Sequence, residues 1–261
     1  RSAPSPTAEE QALSSPPEAS AKALSDQQAE ETVSNEKTDP APAQEASFTL
    51  CAYLPVSSMT QGTAAVAEEY AGSIAELDYL VLNTGAYWDE NGALSLSDEL
   101  LDAIETLQGK TALWCTVNPQ GALIREGTAG QSIDSPQERQ VLAQEIAAFA
   151  EQYGLAGIDI DWEFPLDDEW EDFSTFLIAL KDTLSRNSEP VALSLALYPE
   201  EIALSEEAIA ALDRIHVMAY DQFDSEGFHS TMQTAEDAVA YFTALGASCL
   251  LYTSDAADDL T

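Results

Sequence analysis

The chain has 261 residues, 47 of them acidic and 9 basic, for a formal net charge of −38. So negative a molecule repels nucleic acid phosphates and anionic lipid headgroups, which argues against a basic-groove or polybasic-anchor function. No apolar run approaches the roughly 18 to 20 residues of a membrane span, and 3 Cys with no CxxC pair and 2 His make neither a zinc site nor a disulfide framework.

Residues 1–47 contain none of the 12 Gly and 6 of the 12 Pro, and no aromatic residue, in a background of Ala, Ser, Glu and Gln. Such a stretch cannot bury enough apolar surface to offset its ordering entropy, so a disordered, Pro-stiffened linker is expected there. The chain starts at Arg1 rather than Met. That suits an upstream signal segment removed from a secreted protein, or simple cropping.

From Phe48 onward, short apolar runs alternate with stretches at helical spacing. Strands are predicted over 48–54, 77–82, 111–117, 157–163, 191–197 and 215–220. Helices are predicted over 64–75, 97–107, 136–153, 169–185, 205–212 and 234–245. Six strand-then-helix units in succession mean an α/β protein with a parallel sheet and helical crossovers, either open or closed into a barrel. The apolar strands are those of a sheet covered on both faces. About 200 residues hold six units of roughly 30, whereas an eight-unit barrel takes about 250. Two units are therefore expected to lie outside 48–248. The tail from Ser248 to Asp259 resembles the in-frame translation of a transposase sequencing adaptor, which makes 249–261 a candidate adaptor-derived tail. A genuine strand over 249–252 is the alternative.

The most informative segment is GlyIleAspIleAspTrpGluPhePro, 157–165. Side chains alternate along a strand, so Asp159, Asp161 and Glu163 share one face while Ile158, Ile160 and Trp162 share the other. Neighbouring carboxylates about 7 Å apart repel by roughly 2.4 kcal/mol at an effective dielectric of about 20. Repulsion and desolvation together keep at least one carboxyl protonated near neutral pH, available as a general acid. An acidic strand face could be mere surface, but the core-like opposite face and flanking helices oppose that. A Mg²⁺ or Ca²⁺ cluster is a second use for such carboxylates.

This segment resembles the DxxDxDxE signature of glycoside hydrolase family 18, the chitinases and endo-N-acetylglucosaminidases, whose motif lies on the fourth strand of a (β/α)8 TIM barrel. Its three functional carboxylates fall on Asp159, Asp161 and Glu163. The signature's first Asp is replaced by Ala156, which puts local support of the motif in doubt more than its chemistry. A second match, MetAlaTyrAsp at 218–221, resembles the family's MxYD on strand six. Weaker echoes are AlaTyrTrpAspGluAsnGlyAlaLeu at 86–94 and AlaLeuTyrPro at 196–199.

The resemblance implies retaining hydrolysis in which the substrate's own N-acetyl carbonyl is the nucleophile, so one column of carboxylates suffices. Glu163 would protonate the glycosidic oxygen and later activate water. Asp161 would accept a hydrogen bond from the acetamido N–H and stabilise the oxazolinium intermediate, and Asp159 would share a proton with Asp161. Tyr220 would donate to the acetamido oxygen, and Met218 and Asp221 would help to hold the sugar. Tyr87, Trp88, Tyr198 and Phe223, all placed at strand ends or in the loops after them, are candidate sugar platforms or else packing residues. Trp114 reads as core, and Trp170 as a cover on the helix after strand four. No cofactor and no metal are called for.

The implied partner is an N-acetylglucosamine-containing polysaccharide or oligosaccharide, met outside the cell or at its surface by a monomer. A non-catalytic glycan-binding protein on the same scaffold is the alternative reading, and an inactive fragment of a barrel is another.

Overall fold

The computed structural model describes residues 49–58, 61–163, 165–200, 202–220, 227, 229–247 and 252–254, the last three by backbone alone. The linker expected over 1–47 lies outside them. Seven strands form one parallel run in chain order: β1 (Cys51–Pro55), β2 (Tyr79–Asn83), β5 (Ala112–Pro119), β6 (Gly157–Ile160), β7 (Ala192–Leu197), β8 (Arg214–Val217) and β9 (Tyr252–Ser254). Each pairs in parallel with the next, and the run forms a half-barrel with alternating helices. All six predicted strands are there. β9 comes from the stretch whose resemblance was to an adaptor, and it pairs with β8 through Ile215, His216 and Val217.

A parallel sheet must bury both faces, and the two faces of this one are built differently. On the outer face Leu80, Leu82, Leu113, Val117, Ile158, Ile160, Leu193, Leu195 and Ile215 meet the helices in one large core. On the inner face the apolar cluster is small, with Tyr79, Val81 and Trp114 at its centre and Cys51, Tyr53, Ala156 and Ala192 against it. Asp159, Thr116, Ser194 and His216 occupy the rest of that inner face and are buried. The half-barrel therefore has a dry outer core and a polar interior.

The helices are α1 (Thr63–Glu69), α2 (Ala71–Glu76), α3 (Asp98–Leu107), α4 (Gly121–Glu126), α5 (Pro136–Tyr153), α6 (Trp170–Leu184), α7 (Glu206–Ala211) and α8 (Met232–Ala244). The bounds of α5 are the predicted ones. Its start is written in Ser135, Pro136 and Glu138: the Ser135 side chain accepts from the Glu138 N–H, Glu138 answers to the Ser135 N–H, and Pro136 needs no donor at N1. Gly154 ends it in the left-handed conformation, at φ 62°. Arg139, 8% exposed, reaches the carbonyls of Ile133 and Asp134 and pairs with Asp172. It thereby fixes the first turn of α5 against that of α6.

Three features depart from the pattern. The helix predicted over 64–75 breaks at Tyr70 into α1 and α2. The echo segment after β2 is a hairpin of β3 (Ala86–Trp88) and β4 (Leu94–Leu96), with β3 also pairing in parallel with the end of β5. The strand predicted over 157–163 stops at Ile160. Its last ladder bond is a long one, from the Asp161 N–H to the Val117 carbonyl at 3.4 Å. The following bond would need an N–H at residue 119, which is proline. Asp161 and Glu163 therefore stand on chain that is leaving the sheet.

Candidate active site

β6 carries the site because its inward positions bear carboxyl groups where its neighbours bear the groups that hold them. Asp159 is fully buried. Tyr53 Oη of β1 donates to its Oδ2 at 2.8 Å, Ser194 Oγ of β7 donates to its Oδ1, and His216 Nδ1 of β8 lies 3.1 Å from Oδ1. The Tyr53 hydroxyl is also 2.5 Å from His216 Nδ1. His216 Nε2 lies 2.9 Å from Tyr79 Oη. Burial, and then a hydrogen bond with Cys51, push the Tyr79 phenol well above its ordinary value, so it stays a donor. Asp159 is thus tied into a network across β1, β2, β7 and β8.

Asp161 is the next inward carboxyl. Burial first, and then the charges of Asp159 and Glu163, push it up to about 7, against the opposing pull of a hydrogen bond from Asn118 and of His216. Near neutral pH it is poised between its two forms. Glu163 is also raised, by burial. The environment is graded: Asp159 is held from three strands, Asp161 can change protonation, and Glu163 is half-buried.

The other candidates are placed as follows. Tyr220 and Tyr198 are partly buried at the ends of neighbouring strands β8 and β7, their ring centroids 6.5 Å apart at 57°. Met218 is buried, and its N–H donates to the Leu197 carbonyl. Tyr87 is partly exposed on β3. Trp88 corrects the expectation of a sugar platform. It is fully buried, donates its indole N–H to Ser132 Oγ at 2.9 Å, and meets Trp162 edge-on, so no ring face is left to offer a sugar. Asp221 and Phe223 lie outside the described residues. Trp114 and Trp170 are both buried, Trp114 stacked on Tyr79 at 4.2 Å.

Among the described residues no group of three or more His, Cys, Asp or Glu is arranged to hold a metal ion, and no helix is long and apolar enough to cross a membrane. Tyr53, Ser194, His216 and Asn118 were not singled out in the sequence. Strand alternation puts each on the face of the carboxyl column, but only the register across strands shows that they meet it.

The sequence profile of glycosyl hydrolases family 18 matches residues 34–250. The chain belongs to this family. The family 18 match begins upstream of Phe48, where the pattern of short apolar runs starts, and it includes both MxYD and the carboxyl column. Solved structures share the fold. The chitinase ChiB of Flavobacterium johnsoniae is 20% identical at a TM-score of 0.63, over 78% of this chain and 66% of that one. The spore cortex-lytic enzyme SleL of Bacillus cereus is 18% identical at 0.64, over 79% and 49%. The class V chitinase of Nicotiana tobaccum is 20% identical at 0.64, over 78% and 65%, and has also been solved as a mutant in complex with NAG4. The chain thus spans about half to two thirds of these structures' length. Its fold is that of the family's (β/α)8 barrel, present as a half-barrel. No curated protein shows significant similarity to the chain.

Proposed function

We propose that this family 18 protein hydrolyses β-1,4-linked N-acetylglucosamine glycans with retention of configuration, the substrate's acetamido carbonyl acting as nucleophile. The observation that carries the reading is the graded column: Asp159 held from three strands, Asp161 pushed up to about 7, and Glu163 half-buried and raised by burial. A second, separated carboxylate is what ordinary two-carboxylate hydrolysis requires. A single column on one strand fits a substrate that brings its own nucleophile.

In this mechanism Glu163, whose carboxyl is raised by burial, gives its proton to the glycosidic oxygen as the bond breaks. The acetamido oxygen closes on the anomeric carbon, and Asp161 in its ionised form accepts the acetamido N–H and balances the positive ring. Glu163, now a carboxylate, takes a proton from the water that opens the ring from the same side, so the anomer is retained. Tyr220 would donate to the acetamido oxygen, and Asp221 would hold the sugar at the point of cleavage. Support for the substrate class comes from the family itself and from the complex of the Nicotiana enzyme with NAG4. We also propose an extracellular or cell-surface setting, which suits a polymeric glycan.

The test is turnover of a fluorogenic chitooligosaccharide by the protein and by Glu163→Gln. A loss of about 10² to 10⁴ in kcat is expected when the general acid is removed. Equal rates in the two proteins would overturn the assignment, and binding of the oligosaccharide without turnover in either would mark a glycan-binding protein instead.

A further inference from the structure

Asn118 ends β5 on the inner face, beside Asp161 on the neighbouring strand: Val117 pairs with Ile160, one residue before each. Its Nδ2 donates to Asp161 Oδ2 over a long 3.4 Å. Its Oδ1 is buried and has no hydrogen-bond partner, the one such side-chain atom among the described residues. A buried acceptor left open costs stability and calls for a reason.

The reason lies in what Asp161 does. An ionised carboxylate wants donors, and a protonated carboxyl needs an acceptor for its hydroxyl. A lysine beside it would serve only the first state, and a second carboxylate only the second. A neutral amide carries both functions on one planar group whose two ends have nearly the same shape. Had Oδ1 been bonded elsewhere, the amide would be pinned in one orientation. With nothing else on Oδ1 and a long bond on Nδ2, it is free to turn over.

We propose that Asn118 is a positioning residue that partners Asp161 in both of its protonation states, Nδ2–H donating to the carboxylate and Oδ1, after the amide turns, accepting the hydroxyl of the acid. The proposal deepens the reaction above and rests on Asp161 changing protonation within it. The other titratable groups facing Asp161 are Asp159 and Glu163 on its own chain segment and His216 from β8, with Tyr53 of β1 behind Asp159. Each of them can favour only one form of Asp161, whereas Asn118 can pair with both, its donor in the orientation seen favouring the carboxylate.

The experiment is an NMR titration that needs no turnover. In the wild-type protein the side-chain amide ¹⁵N and ¹H resonances of Asn118 are expected to move with the same midpoint as the Asp161 Cγ resonance. In Asn118→Leu the Asp161 midpoint is expected to rise by about 0.5 to 1 unit, since the carboxylate loses its donor. In Asn118→Asp it should rise further, because a third like charge is added nearby. Asn118 resonances that stay flat through the Asp161 transition, or a Leu variant whose Asp161 midpoint is unmoved, would overturn the proposal. Should Asn118→Leu fail to fold, the wild-type titration decides alone. A chain inert toward the chitooligosaccharide that still shows the common midpoint refutes the reaction and leaves the pairing standing.

Discussion

Gly157 and the ring of Trp114 compete for one place on the inner face of the half-barrel. A Cβ built on Gly157 would stand 2.1 Å from Trp114 Cδ2 and 2.4 Å from Cε2, on a ring that stacks on Tyr79 and sits 6.2 Å from His216. A ring so enclosed cannot give way without disturbing its neighbours. Gly157→Ala is therefore expected to destabilise the protein by about 1 to 3 kcal/mol, the usual cost of overpacking, as measured by urea unfolding. Because the displaced ring lies beside His216, and His216 touches Asp159, the same substitution should reduce turnover beyond the loss of folded protein. Gly157→Ala together with Trp114→Phe, which removes part of the ring, should recover part of the stability. No recovery would mean that the glycine is needed for some other reason.

At the scale of elements, the capping box of α5 permits a clean test. Ser135→Ala removes the oxygen that accepts the Glu138 N–H, and should lower the unfolding free energy by about 1 kcal/mol in urea melts without changing turnover. This helix was legible to the residue because Ser135, Pro136, Glu138 and Gly154 are all local signals. The hairpin of β3 and β4 carries a weaker local signal: the Gly92 N–H closes a turn on the Asp89 carbonyl, with Gly92 at φ 76°, between two short paired runs. That hairpin explains the burial of Trp88, because pairing Tyr87 with Asn118 and Trp88 with Pro119 leaves the indole facing Ser132, Trp162 and Phe176. Alternation gave the face of Asp159, Asp161 and Glu163, since that is a property of one strand. It could not give Tyr53, Ser194 or His216 as the partners of Asp159. Those contacts span sequence separations of 106, 35 and 57 residues and depend on the register of neighbouring strands.

For the whole molecule, the carboxyl column makes folding depend on pH in a predictable direction. Asp161 ionises at 3.8 in an ordinary setting and at about 7 in the fold. Between those values the folded chain keeps a proton that the unfolded chain has released. Stability is therefore full below about pH 4 and falls as the pH rises towards 7, by something on the order of 4 kcal/mol for a shift of this size. Glu163, raised by burial, adds to the fall with the same sign. A net charge of −38 also works in this direction, since carboxylates across the chain ionise in the lower part of the window and repel one another. Salt separates the two effects. At about 1 M ionic strength the screening length drops to about 3 Å, which suppresses repulsion between exposed charges but scarcely reaches a buried carboxyl. In high salt, then, the remaining fall in stability between pH 4 and 7 should belong largely to the column. Asp161→Asn should remove most of it, melting higher than the wild type at pH 7 and about the same at pH 4, while abolishing turnover. A variant whose stability still falls with pH as steeply as the wild type's in 1 M salt would place that cost elsewhere in the chain. A variant that flattens the curve would show that the fold gives up stability at neutral pH in order to hold a carboxyl where the reaction needs one to change its charge.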